Sequence, residues 1–415
     1  MNIMKKIKIA FEKVYILIAV AAVLLITTLC IGLVRYKKST TQRTVNVAFY
    51  NLPEKVTKTL EDNIKSAELA RVFFKSITLE ELNNEKALKN YDVIFTYDGI
   101  VAENLKKKGT NISGRLFSML PSSLKRETED NSRKAIPVLL DHFELSYNKM
   151  IAEKTGLENP QSFNELLDFL EASKKYIFTP FFTNGGDDEI LLGLISCLIE
   201  AKGGYDAYSD FVKNVRKNPA LDKIISLKLG EAGSVTLEEI LELFRNWQEN
   251  GIVHPNWYNA KFRDIIAFME DGQISVLFTK LSVHRTIPYK LIRDFSTERA
   301  PVASAASATS ASVDHAVIAP AIYAIKLSKK SINDKVLHHL LTEETQSALS
   351  MGTQLGPVAL RGESFDVQAD DVRFFAASCR YGSRAGIYLD CFASESEASK
   401  KLCEGIRRYL NTGRL

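Results

Sequence analysis

Residues 136–175 read IPVLLDHFELSYNKMIAEKTGLENPQSFNELLDFLEASKK, and this stretch decides the fold. IPVLLDHFELSYN has the Val, Leu, Phe and Tyr content of a buried strand. Asn148 is placed to cap the helix that follows it, NKMIAEKTG, and Gly156 to end that helix. After Pro160, Ser162 and Glu165 stand at capping-box spacing ahead of FNELLDFLEASKK, whose Leu166, Phe169 and Leu170 share one face. Strand, helix, turn and second helix therefore follow one another within forty residues.

The order and spacing of Ile136-Pro137-Val138, Tyr147-Asn148-Lys149, Glu153 to Leu157, Pro160 and Glu165-Leu166-Leu167 resemble the middle of the extracellular solute-binding proteins of ABC importers, in the family 1 branch that includes sugar- and maltose-binding proteins. Two further blocks extend the resemblance in the same order. One is Gly251-Ile252-Val253-His254-Pro255 with Phe268 and Gly272-Gln273-Ile274-Ser275-Val276. The other is Ala324 to Lys329 with Glu344, Gln346, Leu349, Gly356 and Pro357. Together they cover about residues 44–400.

The chain has 415 residues, 46% of them hydrophobic and 25% charged, enough apolar content for two domains or one large one. Its formal charge of +4 is concentrated at the start, where residues 1–43 hold eight Lys and Arg and one acid. The remainder carries 46 basic and 49 acidic residues, a net of −3, which gives no electrostatic basis for nucleic-acid binding.

Val14 to Val34, VYILIAVAAVLLITTLCIGLV, is apolar throughout. At 1.5 Å per residue it spans about 30 Å, the thickness of a bilayer's hydrocarbon core. It is longer than the apolar part of a usual cleaved signal peptide, and no A-x-A site follows, so it reads as an uncleaved signal anchor. The flanking charges nearly balance and do not orient it. Cys30 is open to two readings, a lipidated cysteine or a membrane-embedded thiol; Leu29 stands where lipoproteins place a small residue. Residues 35–43 form a polar, basic tether.

Beyond the tether, TVNVAFYNLP, ARVFFKSITL and DVIFTYDGI read as strands alternating with the polar helices EKVTKTLEDNIKSAE and LEELNNEKALKNY. Such alternation marks a parallel sheet covered on both faces, in which ligands sit beyond the carboxyl ends of the strands. Those ends are Tyr50-Asn51, Thr78 and Thr96-Tyr97-Asp98; Asp98-Gly99 is equally a plain turn. Further on, Gly185-Gly186 opens a helix at Asp187, Ile190 to Ile199 buries it, and Gly203-Gly204 stops it. Residues 300–313, APVASAASATSASV, are a low-complexity loop. Cys197 reads as a buried thiol, and Cys379 and Cys391 flank a turn that a local disulfide would close. The absence of a C-x-x-C pair argues against structural zinc.

No G-x-S-x-G, H-E-x-x-H, P-loop or G-x-G-x-x-G motif is present. On a strand, His142 and Glu144 face one side and Asp141 and Phe143 the other. Two groups are too few for a metal site, and a hydrolase built on His142 and Asp141 would have to be revealed by loss of activity in His142→Ala. His338-His339 is a solvated pair on a helix.

The resemblance implies an α/β periplasmic-binding-protein-like fold: two lobes joined by a hinge, preceded by one transmembrane helix. The expected layout is a cytoplasmic N-terminus over 1–13, the anchor over 14–34, the tether over 35–43 and the two-lobed domain over 44–415. Lobe one would comprise about 44–140 and 265–325, and lobe two about 145–260 and 326–415. The implied function is the membrane-anchored, extracytoplasmic solute-binding component of an importer, single-pass in the bacterial cytoplasmic membrane. It would bind a small solute, a sugar above others, and deliver it to permease subunits, with no cofactor, metal or catalytic step. The other reading keeps the fold as a sensor or scaffold whose partner is another membrane protein. Sugar clefts place aromatic faces against rings and carboxylates or amides against hydroxyls. On that basis the ligand-binding candidates are Tyr97, Asp98, Asp141, Asn184, Trp257, Tyr258, Phe278 and Tyr323. Trp257 is equally a loop-packing anchor and Asn184 a helix cap. Two departures, Phe278-Thr279-Lys280 where sugar binders usually have an aromatic shortly after, and Ala319 to Tyr323 in place of a Gly-Gly-aromatic loop, bear on sugar specificity.

Overall fold

The computed structural model describes residues 27, 44–121, 124, 133–160, 163–230, 235–299, 316–359, 382–393 and 396–415. Apart from Thr27, the apolar segment 14–34 with Cys30 lies outside them, as do Ser162 of the expected capping box, the Ala/Ser stretch 300–313 and Cys379. Among the described residues no helix is long and apolar enough to cross a membrane.

Strands β1 (Thr44–Phe49), β2 (Arg71–Ser76), β3 (Val93–Tyr97) and β4 (Ala135–Leu140) begin the first sheet. Next come β5 (Phe143–Asn148), β6 (Thr179–Phe182), β7 (Ile274–Lys280) and β8 (Phe295–Arg299) of a second sheet, then β9 (Val317–Ile318), β10 (Ala321–Lys326), β11 (Gly356–Pro357) and β12 (Ser383–Arg384). The first sheet has the order β11-β4-β10-β3-β1-β2 and the second β6-β7-β5-β8, while β9 pairs with β12. β1 lies parallel to β2 and β3 as the strand–helix alternation requires. β10 instead returns antiparallel between β3 and β4, so the sheet is mixed.

The helix Glu54–Ser66 buries Val56, Leu60 and Ile64, one residue per turn, on the first sheet. Asn148 Oδ1 accepts from the amides of Met150 and Ile151, and Gly156 closes that helix in the left-handed region at φ 71°. In the helix Phe163–Ser173, the face formed by Phe163, Leu166, Phe169 and Leu170 packs into the second core.

IPVLLDHFELSYN is two strands in two sheets. β4 ends at Leu140, Asp141-His142 crosses, and β5 starts at Phe143 in the other lobe. The later lobe boundaries differ from expectation. Residues 274–299 belong to lobe two, because β7 pairs with β5 and β6, and β8 pairs with β5. Residues 326–357 belong largely to lobe one. The helices Ser331–Leu340 and Glu343–Thr353 bury Ile332, Val336, Leu337, Leu340 and Leu349 in the first core. The C-terminal helix Glu397–Thr412 does pack in lobe two, through Leu402, Cys403, Ile406 and Leu410. Cys197, Cys391 and Cys403 are buried free thiols.

Contacts also run from lobe to lobe. Arg216, on the long helix Asp188–Lys217 of lobe two, makes paired bonds of 2.9 and 3.0 Å to Glu103 on the lobe-one helix Ile100–Lys108. The short helix Ile387–Cys391 abuts Gly99, where a Cβ would lie 2.2 Å from Leu389 O. The Tyr50 hydroxyl donates to Ala393 O at 2.9 Å.

Candidate functional site

The crossing Asp141-His142 is anchored from both sides. Asp141 N–H donates to Pro320 O at 2.7 Å, tying it to the β9–β10 connection. Leu281 N–H donates to His142 O at 2.9 Å. Asp141 is fully buried. Its carboxylate accepts from the amides of His142 and Ser282, both at 3.1 Å, and from Ser282 Oγ at 2.6 Å. Beside it, Lys280 at the end of β7 lies 3.8 Å from Asp141 and 2.9 Å from Glu189 in the first turn of Asp188–Lys217. Burial lowers the affinity of the Lys280 ammonium for its proton. The Glu189 and Asp141 carboxylates outweigh that and hold its pKa above the ordinary value.

Tyr97, at the carboxyl end of β3, faces this group from the other lobe. Burial pushes its phenol up, Lys280 pulls it down, and Asp141 and Glu189 push it up again. Its hydroxyl makes no hydrogen bond among the described residues. Tyr97, Asp141, Glu189 and Lys280 are therefore one polar cluster at the junction of the lobes, at the carboxyl ends of β3 and β7. Beyond β6, Asn184 is buried, and among the described residues neither its amide oxygen nor the Thr183 hydroxyl has a hydrogen-bond partner.

The other candidates go elsewhere. Asp98 is buried and pairs with Lys106 at 3.5 Å. That same ammonium sits 4.4 Å over the ring of Tyr323, which is buried. Trp257 is a core residue at 0% exposure, tilted against Phe244 at 4.8 Å and packed on Gly185. Phe278 stacks on Phe143 at 5.5 Å inside lobe two. Both are corrections to a cleft role: β7 is buried on both faces, and the loop at 257 folds inward. Tyr258 bonds Asn411 at 3.0 Å and lines a separate hollow of about 310 Å³ with Arg245 and Gln248. Of the remaining strand ends, Thr78 caps the helix Leu79–Asn83.

Next to the crossing, Glu144 is buried between His142, whose Nε2 is 3.1 Å away, and His284, whose Nδ1 contacts the other carboxylate oxygen. Arg285 is a further cation facing it. These are direct contacts, and among the described residues no group of side chains is arranged to hold a metal ion. Sequence reasoning missed Lys280, Glu189, Ser282 and His284 as site neighbours. The only signal for Lys280 was that it stood near the place of an expected aromatic.

Two α/β lobes, crossed by the chain beside a polar cluster at the strand ends, define the fold of the solute-binding receptors. Solved structures of such receptors match it over most of its length. The bacterial solute receptor AcbH, described as having exclusive preference for β-D-galactopyranose, matches with a TM-score of 0.68 at 13% identity, over 89% of this chain and 93% of that one. The binding protein MsmE from Bacillus subtilis subsp. subtilis str. 168, in an open conformation, matches at 0.66 and 12% identity, over 90% and 94%. The apo form of RafE from Streptococcus pneumoniae matches at 0.63 and 15% identity, over 89% and 97%. At these identities the likeness establishes the fold. No family model and no curated protein matches the sequence.

Proposed function

We propose that this chain is the solute-binding component of an ABC importer. It closes its two lobes around a small carbohydrate and passes it to permease subunits in the membrane. The observation that carries the reading is the match of both lobes, over about nine-tenths of the chain, to sugar receptors including AcbH and RafE, the latter solved with raffinose. The polar cluster at the lobe junction supports it, because Tyr97 comes from one lobe and Lys280 and Glu189 from the other. A ligand that contacts both lobes selects the closed state. No catalytic step is part of this function. The apolar stretch Val14 to Val34 supports a single-pass anchor, with residues 44–415 on the extracytoplasmic side of a bacterial cytoplasmic membrane.

Thermal unfolding of the full-length chain in detergent tests the reading against monosaccharides, raffinose, chitin oligosaccharides, peptides and polyamines. A ligand at 100 times its dissociation constant stabilises by about 2.7 kcal/mol, a readily measured shift. A shift with any sugar is expected. Silence across the panel overturns the transport reading in favour of a sensor or scaffold module partnered by another membrane protein.

A further inference from the structure

Resting on that receptor reading, we infer that the solute is compact and neutral, one or two sugar rings held through their hydroxyls by Glu189, Lys280 and Tyr97 rather than by aromatic stacking. The chain has two tryptophans, and both are spent in the core of lobe two, Trp247 at 4% exposure and Trp257 at 0%. Three tyrosines stand at the cleft end of the first sheet. Tyr50 is tied by its hydroxyl to Ala393, and the Tyr323 ring lies under Lys106. Among the described residues, Tyr97 alone of the three keeps both exposed surface and a hydroxyl without a hydrogen bond. A long glycan bound ring upon ring needs a succession of flat apolar faces, and these residues do not supply one.

Hydrogen-bonding capacity is available instead. Asp141 is saturated by His142 and Ser282, so it is a positioning residue that holds Lys280. Glu189 receives Lys280 on one oxygen and is partly exposed, which leaves the other for a ligand hydroxyl. The Lys280 ammonium has three donors and places one on Glu189. Next to β7, the buried Thr183 hydroxyl and Asn184 amide oxygen lie just beyond the end of β6, which runs parallel to β7 with Phe182 opposite Leu277. Buried polar atoms without partners mark places that a ligand or an ordered water completes. A ring hydroxyl donates to a carboxylate while accepting from an ammonium, and adjacent hydroxyls on one ring span such a pair. Asp141, Glu189 and Lys280 sum to one negative charge, and the helix start at Asp188 offsets part of it. That balance favours a neutral solute over an ionic one.

The test is isothermal titration of the full-length chain in detergent with D-galactose, D-glucose, a disaccharide panel, raffinose and chitotetraose. A monosaccharide or disaccharide is expected to bind at least tenfold tighter than raffinose or chitotetraose. Lys280→Met and Glu189→Gln are each expected to weaken it tenfold or more. Tyr97→Phe removes one hydroxyl from a partly exposed side chain; it reads the same site if either charge variant fails to fold. Tenfold tighter binding of raffinose or chitotetraose, or undiminished affinity in the folded variants, overturns the inference and leaves the receptor reading intact. No heat with any sugar overturns the receptor reading and this inference with it.

Discussion

Glu144 shows how much one buried side chain carries at the lobe junction. Burial alone would raise its carboxyl pKa, but His284 and His142 outweigh that and hold it at about 2, against an ordinary 4.5. As pH falls, the unfolded chain therefore takes up this proton before the folded one. The contribution is complete above about pH 4.5 and lost as pH drops toward 2, and the shift corresponds to about 3 kcal/mol. Urea unfolding at pH 6 and at pH 2.5 should show a large loss for the native chain and a smaller difference for Glu144→Gln. An equal difference in the two would place the acid sensitivity elsewhere. Strand alternation made His142 and Glu144 legible as a pair. His284 was not, because it lies 140 positions away from Glu144 and meets it only through the pairing of β5 with β7. The same limit explains Trp257 and Phe278. An aromatic residue in a buried strand or a folded-back loop has the same spelling whichever side it faces, and a strand buried on both faces has no polar alternation to settle it.

Among the elements, the helix Asp188–Lys217 sets how closely lobe two packs. Gly193 lies against the ring of Phe143, where an added Cβ would come within 2.2 Å of Cζ. That ring is already stacked on Phe278, so it has little room to yield. Alanine is the better helix former by about 1 kcal/mol, yet overpacking of this kind costs about 1–3 kcal/mol. Gly193→Ala should therefore lower the denaturation midpoint despite its helix propensity, and a raised midpoint would refute the close fit. The start of this helix was readable, with Asp187 capping Glu189 and Ile190. So was its stop: Gly204, at φ 71° and ψ −173°, breaks the helical dihedrals where Gly203-Gly204 reads as the end of the helix, and a second helical run follows to Lys217. Beyond the break, Tyr208, Phe211 and Val215 pack that second run into the second core. The crossing at Asp141-His142 lies within the expected boundary between 140 and 145, which came from the family resemblance and not from the residues alone. β4 and β5 are equally apolar, and their sheets are assigned by partners such as β10 and β7, far along the chain.

For the whole molecule, the proposed receptor function makes the balance between open and closed lobes depend on contacts away from the polar cluster. Glu103 and Arg216 are 47% and 31% exposed, so their paired bonds are screened by water. Such a pair contributes up to about 1 kcal/mol. That is small for folding but large for a conformational balance, since it changes the ratio of two states about fivefold. Glu103→Gln removes the charge on lobe one, while Arg216 keeps its 2.7 Å bond to Asp390 O in lobe two. The variant thus isolates the latch from the packing around it. Fluorophores placed at the exposed positions Leu69 and Phe178, one on each lobe, would report their separation by energy transfer. Without sugar, Glu103→Gln should lower the transfer efficiency, and added salt should lower it in the native chain but less in the variant. A sugar bound at the lobe junction should restore it in both, because the ligand's contacts replace the latch. Unchanged efficiency in the variant, with and without salt, would mean that the helix Ile387–Cys391 against Gly99 and the Tyr50–Ala393 bond alone hold the lobes together.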